Sequence, residues 1–202
     1  MSAESYAFAD RPGAGADAPV LFLFHGTGGN EHQFLDLAAQ LKPGARRVAP
    51  RGDVSEGGAL RYFRRLAEGR YDMADLERAT AKMAAFVREQ IGVERPDEVA
   101  GLGYSNGANV LAAVQFAHPE LFDTTVLLHP LIPFRPAPQP GLAGKRVLIT
   151  AGRRDPICPP PATEALAAWY REQGAELVLF WHDGGHELRQ EELAAAQDFL
   201  RR

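Results

Sequence analysis

Of the four serines in the chain, Ser2, Ser5, Ser55 and Ser105, one sits in Gly103-Tyr104-Ser105-Asn106-Gly107. An apolar run, Val99-Ala100-Gly101-Leu102, leads into this segment, and a helix-compatible run from Ala108 to Ala117 follows it. Glycine two residues either side of a serine at such a junction is the spacing of a nucleophile on a sharp strand-to-helix turn. The turn strains the serine backbone, and only glycine at the flanking positions avoids collision there. It projects the hydroxyl away from the sheet, at a helix start whose free N–H groups favour negative charge. The competing reading is a glycine-rich turn with a capping serine.

A serine hydroxyl needs a base, and the base needs a third group to orient it. Six histidines compete for the role of base. His32 and His118 fall within or beside helical patterns and are expected at the surface. His129 ends the run Leu127-Leu128-His129-Pro130 and could reach the site edge. His186 follows the last apolar run across Asp183-Gly184-Gly185 and is the preferred base, with His182 second. The acid should come from the end of the preceding strand, where Val147-Leu148-Ile149-Thr150-Ala151 leads to Gly152-Arg153-Arg154-Asp155-Pro156. Asp155 fits. Asp183 is the rival, but it lies too near His186 in sequence to come from a separate strand. The chain order Ser105, Asp155, His186 is that of the α/β-hydrolases.

Attack on a carbonyl creates an oxyanion that needs preorganised donors. The backbone N–H of Asn106, next after the nucleophile, is one expected donor. The loop Phe24-His25-Gly26-Thr27-Gly28-Gly29-Asn30-Glu31 supplies the other, with Thr27 N–H the choice. That loop lacks the Lys-Ser/Thr ending of a P-loop and the G-x-G-x-x-G spacing of a dinucleotide site. His25 is expected to brace it.

The elements that must hold these groups alternate along the chain. Val20–Phe24 and residues 47–49, 99–103, 125–128, 147–151 and 176–180 read as strands, mostly continuously apolar as strands buried on both faces are. Residues 31–41, 72–90, 105–117, 160–173 and 187–200 carry helical spacing, clearest in Met73, Leu76, Ala79, Met83, Phe86, Val87 and Ile91. The order predicts an α/β fold, a mostly parallel sheet with helices on both faces and ligands beyond the carboxyl ends of the strands. Residues 130–140 read as an ordered proline-rich surface loop. No connection is long enough for a lid domain.

With 202 residues, a single domain over 1–202 is expected. A net charge of −4 argues against a nucleic-acid surface. Uninterrupted apolar runs without Pro or His, such as Val20–Phe24, are far short of the ~20 residues of a membrane span. Met1-Ser2-Ala3-Glu4-Ser5 shows no secretory signal pattern, so a cytoplasmic location is expected. The single cysteine, Cys158, excludes an intramolecular disulfide and a cysteine-based zinc site and reads as a buried small residue.

Taken together, these motifs resemble the bacterial phospholipase/carboxylesterase family of α/β-hydrolases, relatives of the acyl-protein thioesterases. The segments that carry the resemblance are 24–31, Pro50-Arg51-Gly52-Asp53, Arg61-Tyr62-Phe63-Arg64-Arg65, 103–109, His129-Pro130 and the loops around Asp155 and His186. The resemblance implies a Ser-His-Asp esterase with nucleophile Ser105, acid Asp155, base His186 and oxyanion donors Thr27 and Asn106. It implies no metal or organic cofactor, and an often dimeric assembly. The segment after the second strand departs from that of the thioesterases, so protein depalmitoylation does not carry over.

The expected substrate is a small, soluble carboxylic ester, with no nucleic-acid or membrane partner. Phe63, Ile157 and the Leu131-Ile132-Pro133-Phe134 stretch are candidate pocket walls, and Arg64 with Arg65 could attract an acidic group or simply be solvated. A thioester, lactone or lysophospholipid would be served by the same chemistry. A non-catalytic binding module is disfavoured because all three triad positions are filled. A dehalogenase would carry Asp at position 105, and a dienelactone hydrolase Cys.

Overall fold

The structure, a computed structural model, describes residues 5–15 and 17–202. Residues 1–4, on which most of the signal-peptide reading rests, lie outside the described residues. In chain order the strands are β1 (Phe8–Arg11), β2 (Val20–Phe24), β3 (Arg46–Pro50), β4 (Val54–Glu56), β5 (Ala59–Arg61), β6 (Arg65–Ala67), β7 (Arg70–Tyr71), β8 (Val99–Tyr104), β9 (Thr124–Leu128), β10 (Arg146–Gly152) and β11 (Glu176–His182). The helices are α1 (Leu35–Leu41), α2 (Met73–Ile91), α3 (Asn106–Ala117), α4 (Pro160–Glu172) and α5 (Gln190–Leu200).

Seven strands form the central sheet in the order β1-β3-β2-β8-β9-β10-β11. All neighbours are parallel except β1, which pairs antiparallel with β3 at the edge. Side chains of β2 alternate between the two faces, yet all five of its residues are buried. Phe22 and Phe24 pack with α2, α3 and α4 residues such as Met83, Leu111 and Tyr170. Leu21 and Leu23 pack on the opposite face with Leu35, Leu41, Phe199 and Leu200 of α1 and α5. Helix cover on both faces is the reason the strands read as continuous apolar runs.

The fold is the α/β fold predicted from the order of elements, a mostly parallel sheet with helices on both faces, and it agrees with the α/β-hydrolase fold that the resemblance implies. Three differences follow from local chemistry. The edge strand β1 escapes the sequence pattern because only one of its four residues is buried. Helix α1 begins at Leu35, since the chain turns through residues 31–34. The connection from β3 to α2 is no bare loop: it holds two hairpins, β4–β5 and β6–β7, each strand only two or three residues long. Runs that short carry too few alternations to be read as strands.

Candidate active site

Strand order and register bring the candidate groups to one edge of the sheet. The order in which the chain adds strands to the sheet reverses between β2 and β8, the switch point where open α/β sheets bind ligands. Phe24 pairs with Gly103, so the loop after β2 lies beside Ser105. Tyr104 pairs with Leu128, Leu128 with Thr150, and Gly152 with His182. The residues just past these pairs are Ser105, His129, Asp155 and His186.

Ser105 sits between β8 and α3 at φ 53 and ψ −116, a left-handed conformation that costs a non-glycine residue on the order of 1–3 kcal/mol. The elbow is tight as well as strained. A side chain on Gly103 would stand 2.6 Å from the Gly107 carbonyl oxygen, and one on Gly107 would run into the carbonyls of Phe24 and His25.

Ser105 Oγ lies 2.9 Å from His186 Nε2, and His186 Nδ1 lies 2.7 Å from Asp155 Oδ2. An ionised carboxylate only accepts, so the imidazole proton rests on Nδ1 and Nε2 is free to take the serine proton. Tyr104 fixes the base from the other side, donating its hydroxyl to the His186 carbonyl at 2.6 Å. The second carboxylate oxygen of Asp155 accepts from the N–H groups of Ile157 (2.8 Å) and Cys158 (2.9 Å). Burial would raise the Asp155 pKa, but the hydrogen bonds from His129, His186 and the two backbone amides hold it well below the usual carboxylate range. Asp183, the rival acid, is 84% exposed and pairs with Arg153.

A second imidazole shares the acid. His129 is fully buried, and its Nδ1 lies 2.9 Å from Asp155 Oδ2, the oxygen that also takes His186. With Ser105, it is one of two non-glycine residues at positive φ among the described residues. Its Nε2 lies 3.2 Å from Glu192 Oε2, and Thr150 donates to the same Glu192 oxygen at 2.6 Å. His182, second choice for the base, belongs to this buried network: its Nδ1 accepts the Gly184 N–H, leaving its proton on Nε2 toward Glu192, with His129 Nε2 3.2 Å away.

Two overlapping groups, His129-Asp155-His186 and His129-His182-Glu192, bring metal-ligating atoms within 4.8 Å of one another. In each, the ligating atoms hydrogen-bond within the group, which is the arrangement of a proton-sharing network. Burial depresses the His129 pKa, but hydrogen bonds to Asp155 and Glu192 outweigh it and raise the pKa to about 9.

The sign of the resulting pH dependence follows directly. A group whose pKa rises on folding contributes fully below its unfolded value of about 6.5 and loses that contribution as pH rises through the folded value. The depressed Asp155 and Glu192, and the burial-lowered His25, contribute evenly above their unfolded pKa values. The melting temperature should therefore fall between pH 6.5 and pH 9, the latter being the raised His129 value. In His129→Gln that slope should flatten; a slope as steep as wild type would assign it to another group.

The two expected oxyanion donors flank the serine. Neither Thr27 N–H nor Asn106 N–H donates to any group among the described residues, and both residues line the cavity that holds Ser105. Helix α3 starts at Asn106, so its first-turn N–H groups are open there. The Asn106 side chain is buried and accepts from Tyr62 N–H at 2.8 Å, which fixes the residue. His25 braces the loop as expected: its Nε2 accepts the Gly52 N–H at 2.9 Å, and its Nδ1 lies 2.8 Å from the Gly26 carbonyl.

The cavity measures about 260 Å³. Ile157 lines it, as expected, with Leu131, Tyr71, Asn109 and Cys158. Asn109 ties this wall together, donating to Tyr71 Oη and accepting from Leu131 N–H, both at 2.7 Å. Phe63 and Arg64 are not part of the lining. Phe63 is fully buried in the core, edge-on to Tyr71 at 4.8 Å, and Arg64 is held by Asp72 and Asp75 at the start of α2. The arginines that do line the cavity are Arg61 and Arg65. Arg61 ends β5 and Arg65 begins β6, so the motif Arg61–Arg65 reaches the cavity at its two ends. Burial pushes the Cys158 thiol pKa far up, which keeps it protonated and inert.

No protein-family model matches the chain. The protein MhqD of Bacillus subtilis (strain 168), which carries the name of a hydrolase, is 38% identical over 93% of this chain and 94% of its own. The structure of Atu2452 from Agrobacterium tumefaciens, a protein of unknown function, is 52% identical with a TM-score of 0.92, covering 100% of this chain and 98% of its own. A Bacillus cereus carboxylesterase is 36% identical with a TM-score of 0.88, covering 96% and 92%.

Proposed function

Because the chain belongs to the phospholipase/carboxylesterase family of α/β-hydrolases and is a hydrolase, we propose that it is a serine carboxylesterase acting on small esters. The observation that carries this reading is the continuous line Ser105 Oγ to His186 Nε2 at 2.9 Å and His186 Nδ1 to Asp155 Oδ2 at 2.7 Å. Ser105 attacks the ester carbonyl while His186 Nε2 takes its proton. The oxyanion is received by the N–H groups of Thr27 and Asn106. His186 returns the proton to the leaving alcohol, and water then releases the acyl group from Ser105 by the same route. Asp155 stays ionised throughout and holds the imidazole tautomer.

Substrate size is set by the cavity. At about 260 Å³ it falls below the ~300–1,000 Å³ of sites for drug-sized ligands. Short acyl groups and small alcohols fit that volume better than a fatty chain. The test is labelling: a fluorophosphonate should modify Ser105 stoichiometrically and abolish hydrolysis of p-nitrophenyl acetate. Intact folded protein that leaves Ser105 unmodified would sink the proposal.

A further inference from the structure

Arg61 is a charged side chain where an esterase for neutral substrates needs none. It ends β5, and its guanidinium lines the cavity with its side chain 5% exposed. The hairpin is seated firmly on the site. Gly28 of the oxyanion loop donates to the Leu60 carbonyl at 3.0 Å, and a side chain on Gly52 would stand 2.5 Å from the Arg61 carbonyl oxygen. Arg61 Nη1 donates to Thr27 Oγ1 at 2.8 Å, and Nε donates to the Phe63 carbonyl at 3.2 Å. Nη2 donates to no group among the described residues. A guanidinium has five N–H donors, so this one, on a residue that lines the cavity, keeps Nη2 unspent.

The carboxylates around it are shared with or engaged by Arg65. The carboxylate nearest Arg61 is Glu56, 3.4 Å from Nε, half-exposed and shared with Arg65. Glu68, which also lines the cavity, is engaged by Arg65. Burial and the neighbouring charge of Arg65 disfavour the Arg61 cation more than Glu56, Tyr71 and Glu68 favour it. A buried cation without its own full counter-ion is relieved by a planar anion that accepts two N–H bonds at once, which is the match between guanidinium and carboxylate.

We propose that the substrate is a small ester bearing a free carboxylate, and that Arg61, beside the oxyanion loop, is the residue that binds it. This rests on the serine esterase reading above. Hydrolysis is the ordinary one: the acyl–oxygen bond breaks, water supplies OH to the acyl carbon and H to the alcohol, and the carboxylate is untouched. In monoesters of short dicarboxylic acids the anion is on the acyl side; in acyl esters of hydroxy acids it is on the alcohol side.

The experiment compares kcat/KM for monoethyl succinate with ethyl butyrate, and for O-acetyl lactate with isopropyl acetate. Wild type should prefer the charged member of at least one pair by about tenfold or more, the scale of one charge-assisted contact. Succinate or lactate should compete with p-nitrophenyl acetate, and which of them does so tells the acyl side from the alcohol side. In Arg61→Gln, folded by circular dichroism, the preference should collapse to about one or below, with Arg61→Lys between. A wild type that prefers the neutral ester in both pairs, or an Arg61→Gln that keeps the preference, overturns the proposal. Should Arg61→Gln fail to fold, the wild-type ratios and carboxylate competition still decide. Absence of fluorophosphonate labelling at Ser105 is the separate signature that the esterase reading itself has failed.

Discussion

Ser105→Ala is expected to lower turnover of p-nitrophenyl acetate by about a thousandfold or more, with the fold intact. Among the described residues the hydroxyl is the hydrogen-bond partner of His186 Nε2, at 2.9 Å, so its loss leaves His186 with nothing to activate except water. What remains is rate from the cavity and the backbone donors of Thr27 and Asn106. Steady-state kinetics checks the size, and active-site titration guards against wild-type contamination. A residual rate within tenfold of wild type would place the nucleophile elsewhere. A companion variant separates chemistry from strain. Ser105→Gly should be as inactive as Ser105→Ala yet melt higher, because the position sits at φ 53 and only glycine adopts that region freely.

The second large effect is on stability. Gly107→Ala should lower the melting temperature by about 6–12 °C. A β-carbon there would meet the His25 carbonyl oxygen at 2.5 Å and the Phe24 carbonyl more closely still. Both obstacles are backbone atoms at the end of β2, so no side chain can swing aside, and a whole strand end must shift. Overpacking of that kind costs about 3 kcal/mol, and in a chain of this size each kcal/mol moves the midpoint by roughly 2–4 °C. Differential scanning calorimetry reads it, with Gly15→Ala as the control, since a β-carbon at Gly15 meets nothing within 4 Å. Equal melting temperatures for the two variants would contradict the close approach of helix and strand.

Much of this site follows from the sequence because its parts hang on long strands, most of them buried on both faces. Continuous apolar runs marked β2, β8, β9, β10 and β11, and a parallel sheet carries whatever follows each strand to one edge. Ser105, Asp155 and His186 could therefore be picked from three distant stretches and are found within hydrogen-bonding distance along a line. The pocket was harder. Phe63 and Arg64 follow β5, where two-residue and three-residue strands leave no periodicity to assign inside from outside. Phe63 enters the core, Arg64 goes to the α2 carboxylates, and Arg61 turns out to be the cavity residue. Glu192 left a fainter trace: it shares the stripe of Ala196, Phe199 and Leu200 on α5, a charged residue on an apolar face. A carboxylate placed there must have a buried partner, and only the fold names His129 and Thr150 as the partners.

The two small hairpins between β3 and α2 divide the labour of the molecule. Ser105, Asp155 and His186 follow strand termini that the whole sheet holds, while Arg61 stands on a short hairpin outside the seven-stranded sheet. Changes within residues 54–71 that keep the Tyr62–Asn106 and Leu60–Gly28 hydrogen bonds can thus retune what enters while Ser105, Asp155 and His186 stay in place. Relatives sharing this core would be free to diverge in diet through that single stretch of chain.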